Sequence, residues 1–136
     1  MGFFDFFKKK PKATETNNTS TLEDSTSISI DEIIESMTEY MEDNDDCGYT
    51  KAHVNNCRRI LNEYVKDLKA IKSNDSEIMK CVEKTVKALN ALNDEVDGCL
   101  IETMEREDLC AFIQEKAHEF GLTETDVDIT EDWREW

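Results

Sequence analysis

At 136 residues, with 38% hydrophobic and 35% charged side chains, the chain has room for one core and sits at the polar end of folding sequences. A net charge of -16 argues against direct binding to a nucleic-acid backbone, which needs a basic footprint, and no apolar run approaches the roughly 20 residues of a membrane-spanning helix. One Pro and four Gly leave long uninterrupted stretches, which favour helices over a many-turned sheet.

The charge is uneven along the chain. Residues 1–28 balance four cations against four carboxylates, and residues 29–50 carry eight carboxylates with no cation. Residues 51–93 set nine cations against five carboxylates, and residues 94–136 fifteen carboxylates against three cations. A basic middle is therefore bracketed by acidic flanks that it partly neutralises, and the acidic surface left over suits a basic protein partner. The cysteines Cys47, Cys57, Cys81, Cys99 and Cys110 are odd in number and widely spaced, with no secretory signal pattern. Reduced thiols and a cytoplasmic location are expected.

Residues 1–12, MGFFDFFKKKPK, set four Phe beside four Lys. The order of apolar and basic residues is not that of a signal peptide, and Phe6 stands where a myristoylation signal needs Ser or Thr. The segment reads as a disordered arm capable of weak membrane contact. Residues 13–27 are rich in Thr, Ser and Asn and read as a flexible tether, which leaves residues 28–136 as the folded domain.

Ser29 and Glu32 have the spacing of a capping box, and Ile28 with Ile33 that of a hydrophobic staple, so a first helix is predicted from here to about Glu42. Its apolar stripe is Ile30, Ile33, Ile34, Met37, Tyr40 and Met41. The run from Asp43 to Gly48 imitates the start of a calcium loop. Counted from Asp43, however, position five is Cys47 and position twelve is Val54 rather than Glu, so a polar turn is expected. A second helix is predicted from after Thr50 to about Lys72, buried through Val54, Cys57, Leu61, Tyr64, Leu68 and Ile71, with Lys51, Arg58, Arg59, Lys66, Lys69 and Lys72 outside.

Asn74 and Glu77 fit a cap for a third helix carrying Ile78, Val82, Val86, Leu89, Leu92 and Val96. Residues 97–103 fit a loop, a helical continuation or a short extended piece equally well. A fourth helix is predicted from a Thr103 cap, with Leu109, Phe112, Ile113, Ala117 and Phe120 as its stripe and Gly121 as its stop. Four helices on short connections imply an all-α, compact antiparallel bundle.

His53 and Cys57 lie one helical turn apart, and Cys110 and His118 two turns apart, but zinc needs four converging ligands and no CxxC or HxxxH nucleus is present. Asp126, Asp128 and Thr130 imitate a DxDxT phosphotransfer motif without the buried parallel strand that chemistry uses. No glycine-rich phosphate loop or nucleophile elbow occurs. The expectation is a chain without metal or cofactor and leaning away from catalysis. One alternative is a helical enzyme or small-ligand binder, with a pocket formed by Asn90, Asn93, Asp94, Glu102 and Arg106 between the third and fourth helices.

The final fourteen residues, TETDVDITEDWREW, hold six carboxylates, one Arg and two Trp. Thr130 is placed to cap a last turn that sets Trp133 and Trp136 side by side. Either the Trp pack on the bundle, or they form a docking strip with Glu124, Asp126, Asp128, Glu131 and Asp132, in which aromatics desolvate and carboxylates steer.

The arm MGFFDFFKKK, the stretch LIETMEREDLCAFI and the ending DITEDWREW together resemble small uncharacterised bacterial proteins of the toxin-immunity type. The resemblance implies a bacterial cytoplasmic protein that occludes a partner, and it transfers no site residue. Taken with the charge, it leads to the expectation of an immunity- or inhibitor-type binding module that covers a basic partner surface with acidic helices and the C-terminal Trp segment. A membrane-peripheral adaptor held by residues 1–12 is the remaining alternative.

Overall fold

In the computed structural model, which describes residues 28–123 and 127–136, each helix starts where a side chain takes over backbone N–H groups that the helix itself leaves unpaired. The elements are α1 (Ile30–Asp43), α2 (Lys51–Ala70), α3 (Asp75–Glu95) and α4 (Thr103–Glu119), with no strand among the described residues. The arm and tether expected over residues 1–27 lie outside the described residues.

Ahead of α1, the Glu32 N–H donates to Ser29 Oγ at 3.1 Å and the Ser29 N–H to Glu32 Oε1 at 2.9 Å, the reciprocal pair predicted from their spacing. Asn74 caps α3 in the same way, accepting from the Glu77 N–H at 2.9 Å. At α2 the role of the third-position acceptor falls to His53, whose Nδ1 takes the Thr50 N–H at 3.0 Å. At α4 the expected cap shifts by one residue: Thr103 is the first helical residue and Glu102 the cap. A cap at Thr103 would put Arg106, which has no acceptor, three residues on. From Glu102 the third position is Glu105, whose carboxylate accepts the Glu102 N–H at 3.1 Å.

The C-terminus of α4 closes as a Schellman motif. The Gly121 N–H reaches the His118 carbonyl and the Leu122 N–H that of Ala117, with Gly121 at φ 115° and Leu122 buried behind it. The end of α3 uses the same motif through Asp97 and Gly98, which donate to Asp94 and Asn93. This reversal sends the chain into a non-helical connection at residues 97–102 instead of a longer α3.

The predicted stripes meet in one core, from Ile33 and Met37 on α1 to Phe112 and Ala117 on α4. On α2 the stripe also takes in Ile60, because this helix packs against α1 on one side and α3 on the other and needs a wider apolar face. Tyr40 departs from the predicted stripe, being 44% exposed. Tyr49, in the α1–α2 turn, takes the buried place at that end of the core, and its hydroxyl donates to the Met37 carbonyl at 3.1 Å. Tyr40 stacks outside it at 6.4 Å between ring centroids.

Tyr64 crosses the core, tilted against Phe112, and donates its hydroxyl to the Ile113 carbonyl at 2.7 Å. Tyr64→Phe removes one buried hydrogen bond without opening a cavity and is expected to cost about 1 kcal/mol. Urea unfolding measures this, and an unmoved midpoint would refute it.

Candidate protein-docking face

Two of the polar residues expected to line a pocket are instead structural. Asn93 is buried, and its Oδ1 accepts the N–H groups of Leu100 and Ile101 at 3.1 and 2.9 Å. Asn90 is buried too, donating to the Trp133 carbonyl at 2.8 Å and accepting the Glu135 N–H at 3.1 Å. Asp94 and Glu102 are exposed and Arg106 is half-buried on α4. Sequence proximity suggested convergence of the five. Asn90 and Asn93 turn to the backbone because this is where the C-terminal segment and the 97–101 connection cross α3.

The C-terminal segment is fastened to the bundle. Asp128 Oδ1 accepts the Thr130 N–H at 3.0 Å and the Thr130 hydroxyl at 2.6 Å, and Asp128 Oδ2 accepts from Arg134 Nη2 at 2.9 Å. Asp128 thus caps the last turn, the place expected for Thr130. The Thr130 side chain is buried and spends its hydrogen on Asp128. Arg134 also reaches the Trp136 carbonyl at 2.8 Å and lies over its indole ring at 5.6 Å. Both Trp133 and Trp136 pack, half-buried, against the core. Of the docking-strip candidates, Glu131 and Asp132 are exposed, whereas Glu124 and Asp126 lie outside the described residues.

Burial pushes the Asp128 carboxyl up, but the Thr130 hydrogen bonds and the Arg134 guanidinium together hold it below the usual 3.8. A carboxyl lowered on folding contributes stability above its unfolded pKa and loses it as pH falls through the folded one. Below about pH 4 the C-terminal fastening should therefore loosen, with a red shift of Trp emission. Asp128→Asn should show the loosened signal already at pH 7 and lack this acid step. An acid profile identical to that of the wild type would exclude the latch.

A different face carries unbalanced charge. Glu35, Glu39, Glu42 and Asp43 on α1, with Asp45 and Asp46 in the turn after it, are exposed and have no ion-pair partner among the described residues. Glu102 and Glu105, at the start of α4, share a depression with Tyr40 of α1 and lie close enough to Tyr49 to add to the upward push that burial exerts on its hydroxyl. Between the two elements lies a depression of about 220 Å³, walled by Tyr40, Tyr49, Leu100, Met104 and the two glutamates. Tyr40 and Met104, the latter 69% exposed, stand at its rim.

The α1–α2 turn closes on this site because residue 48 is glycine. Its φ is 95°, and a Cβ there would lie 2.8 Å from Cys99 Sγ. The Tyr40 and Met104 pairing had no signal in the sequence, since Tyr40 continues the α1 stripe and Met104 is a lone apolar residue off the α4 stripe.

The His53 and Cys57 pair does not form a ligand set. His53 Nδ1 caps α2, and Cys57 is fully buried, where desolvation pushes its thiol up to about 12 and keeps it neutral. Among the described residues no group of three or more His, Cys, Asp or Glu is arranged to hold a metal ion. No helix among them is long and apolar enough to cross a membrane.

A family model described as a family of unknown function (DUF5713) matches residues 34–136, from within α1 to the last Trp. Neither a curated protein nor a solved structure matches the chain.

Proposed function

We propose for this chain, which belongs to the family of unknown function DUF5713, the role of a protein-binding module that covers a basic surface of its partner with the face around Tyr40 and Met104. The observation that carries this reading is the coincidence of two large exposed apolar side chains with the carboxylates of Glu102 and Glu105 in the depression between them and of Glu39 and Asp43 next to Tyr40 on α1, none of which has an ion-pair partner among the described residues. Apolar side chains at the rim supply contact area that sheds water on docking, and the carboxylates around them steer a basic partner and reject acidic ones. The depression between Tyr40 and Met104 takes one Lys or Arg side chain, its stem along the ring and its charge beside Glu102 and Glu105.

Occlusion is the mode of action in this reading, as in an immunity or inhibitor protein in the bacterial cytoplasm. Carboxylates occupy the positions that an anionic substrate would take on the partner. The C-terminal strip is secondary here, because Asp128 and both Trp are engaged within the chain. The test is capture of the partner from the native host by the wild type, by Glu39→Lys with Asp43→Lys, and by Glu131→Lys with Asp132→Lys. Capture lost only in the first variant supports the Tyr40 face. Loss only in the second would move the site to the C-terminus, and no salt-sensitive partner at all would end the reading.

A further inference from the structure

A second concavity, of about 490 Å³, opens between the first turn of α1, the outer face of α2 and α4. Its walls carry Arg58, Lys66, Lys69 and Lys116 against one carboxylate, that of Asp31. With Glu119, which pairs with Lys116 from outside the groove, that is four cations less two anions, a local excess of two positive charges in a chain whose net charge is -16. Arg58, Lys66 and Lys69 recur at helical spacing on α2, so α2 presents them along one side.

Their existing partners differ in a useful way. Arg58 donates to Asp31 Oδ1 at 2.7 Å, and Lys116 lies 3.2 Å from Glu119 Oε1 and 5.9 Å from the centre of the Phe112 ring. Lys66 and Lys69 have no ion-pair partner among the described residues. The lining also includes apolar surface from the half-buried Ile30 and Val65, with the buried Phe112 beneath Lys116. A shallower concavity of about 350 Å³ continues along α2 past Arg59 and Asn62.

We propose that this groove binds a small phosphate monoester with an apolar body, the phosphate held by Lys66, Lys69 and Lys116 and the body resting on the half-buried Ile30 and Val65. The volume lies within the usual range of small-ligand pockets. A phosphate monoester carries nearly two negative charges and three strong acceptor oxygens, which several compact ammonium groups satisfy together, whereas a single carboxylate would leave half of the excess unbalanced. A long polyanion is disfavoured, because beyond the groove it would run along a surface of its own sign. Asp31 competes with the ligand for Arg58, so its carboxylate limits affinity. This site is independent of the acidic docking face and stands or falls apart from it.

Isothermal titration of the full chain tests the assignment with phenyl phosphate as probe, beside inorganic phosphate and phenol. Phenyl phosphate should bind one-to-one and about tenfold or more tighter than either fragment, since only it fills both halves of the groove. Lys66→Glu with Lys69→Glu should weaken it about tenfold or more, while Asp31→Asn should tighten it about threefold or more by freeing Arg58 and removing a negative charge. The gain in Asp31→Asn is a signature that a poorly folded variant does not produce. Absence of saturable phenyl phosphate binding, equal affinity in the Lys66 and Lys69 variant, or no gain in Asp31→Asn would each overturn the proposal.

Discussion

Asn93→Ala is expected to lower the free energy of unfolding by about 2–4 kcal/mol. The amide oxygen of Asn93 holds two backbone N–H groups, those of Leu100 and Ile101, and both residues are buried. Removing the acceptor leaves two buried donors without partners, each costing about 1–3 kcal/mol, in a place that water cannot reach without unseating two core side chains. Urea unfolding followed by far-ultraviolet circular dichroism should show a lower midpoint with an unchanged slope. Asn93→Asp keeps an oxygen at the same position and should recover part of the loss. A change below about 0.5 kcal/mol in Asn93→Ala would mean that the connection is held by its apolar side chains alone. The same substitution should also weaken partner docking, because Leu100 walls the depression beside Met104.

Glu39→Lys combined with Asp43→Lys should weaken partner binding by about tenfold or more and reduce its salt dependence, with most of the change in the association rate. The two carboxylates are exposed on α1 beside Tyr40 and have no ion-pair partner among the described residues. The reversal therefore breaks no ion pair among the described residues, and a cation in the last turn of α1 complements the helix dipole, so folding should be unaffected. Met104→Ser acts on the other half of the interaction. It removes apolar contact rather than charge and should accelerate dissociation while leaving the association rate nearly unchanged. Surface plasmon resonance at two salt concentrations separates these signatures. Equal rates for wild type and both variants would remove this face from consideration.

The four helices and most of the core were legible in the sequence because both are local properties. The caps at Ser29 and Asn74 and the stop at Gly121 each involve residues within a few positions of one another, and their spacing alone predicts the contact. The 3.6-residue period identifies the buried side of Val54 to Leu68 and of Ile78 to Val96 whichever neighbour covers it. The same local reasoning misplaced the α4 cap by one residue because it weighed the hydroxyl of Thr103 and not the reach of Glu105 back to Glu102.

What depended on the tertiary structure was the identity of each neighbour. Tyr40 and Tyr49 are both plausible core aromatics, and only the path of the α1–α2 turn, closing on Cys99 at Gly48, decides that Tyr49 goes in and Tyr40 stays out. Asn90 and Asn93 look like site residues in a polar stretch, yet α3 turns them toward backbone groups of segments that arrive later in the chain. The groove of Asp31, Lys66 and Lys116 gathers three helices, and no pattern within one helix announces it. Periodicity and capping report how a segment divides itself between core and water. Which carboxylates find a cation, and which are left facing solvent, depends on contacts between residues distant in sequence, and those exist only once the helices have packed.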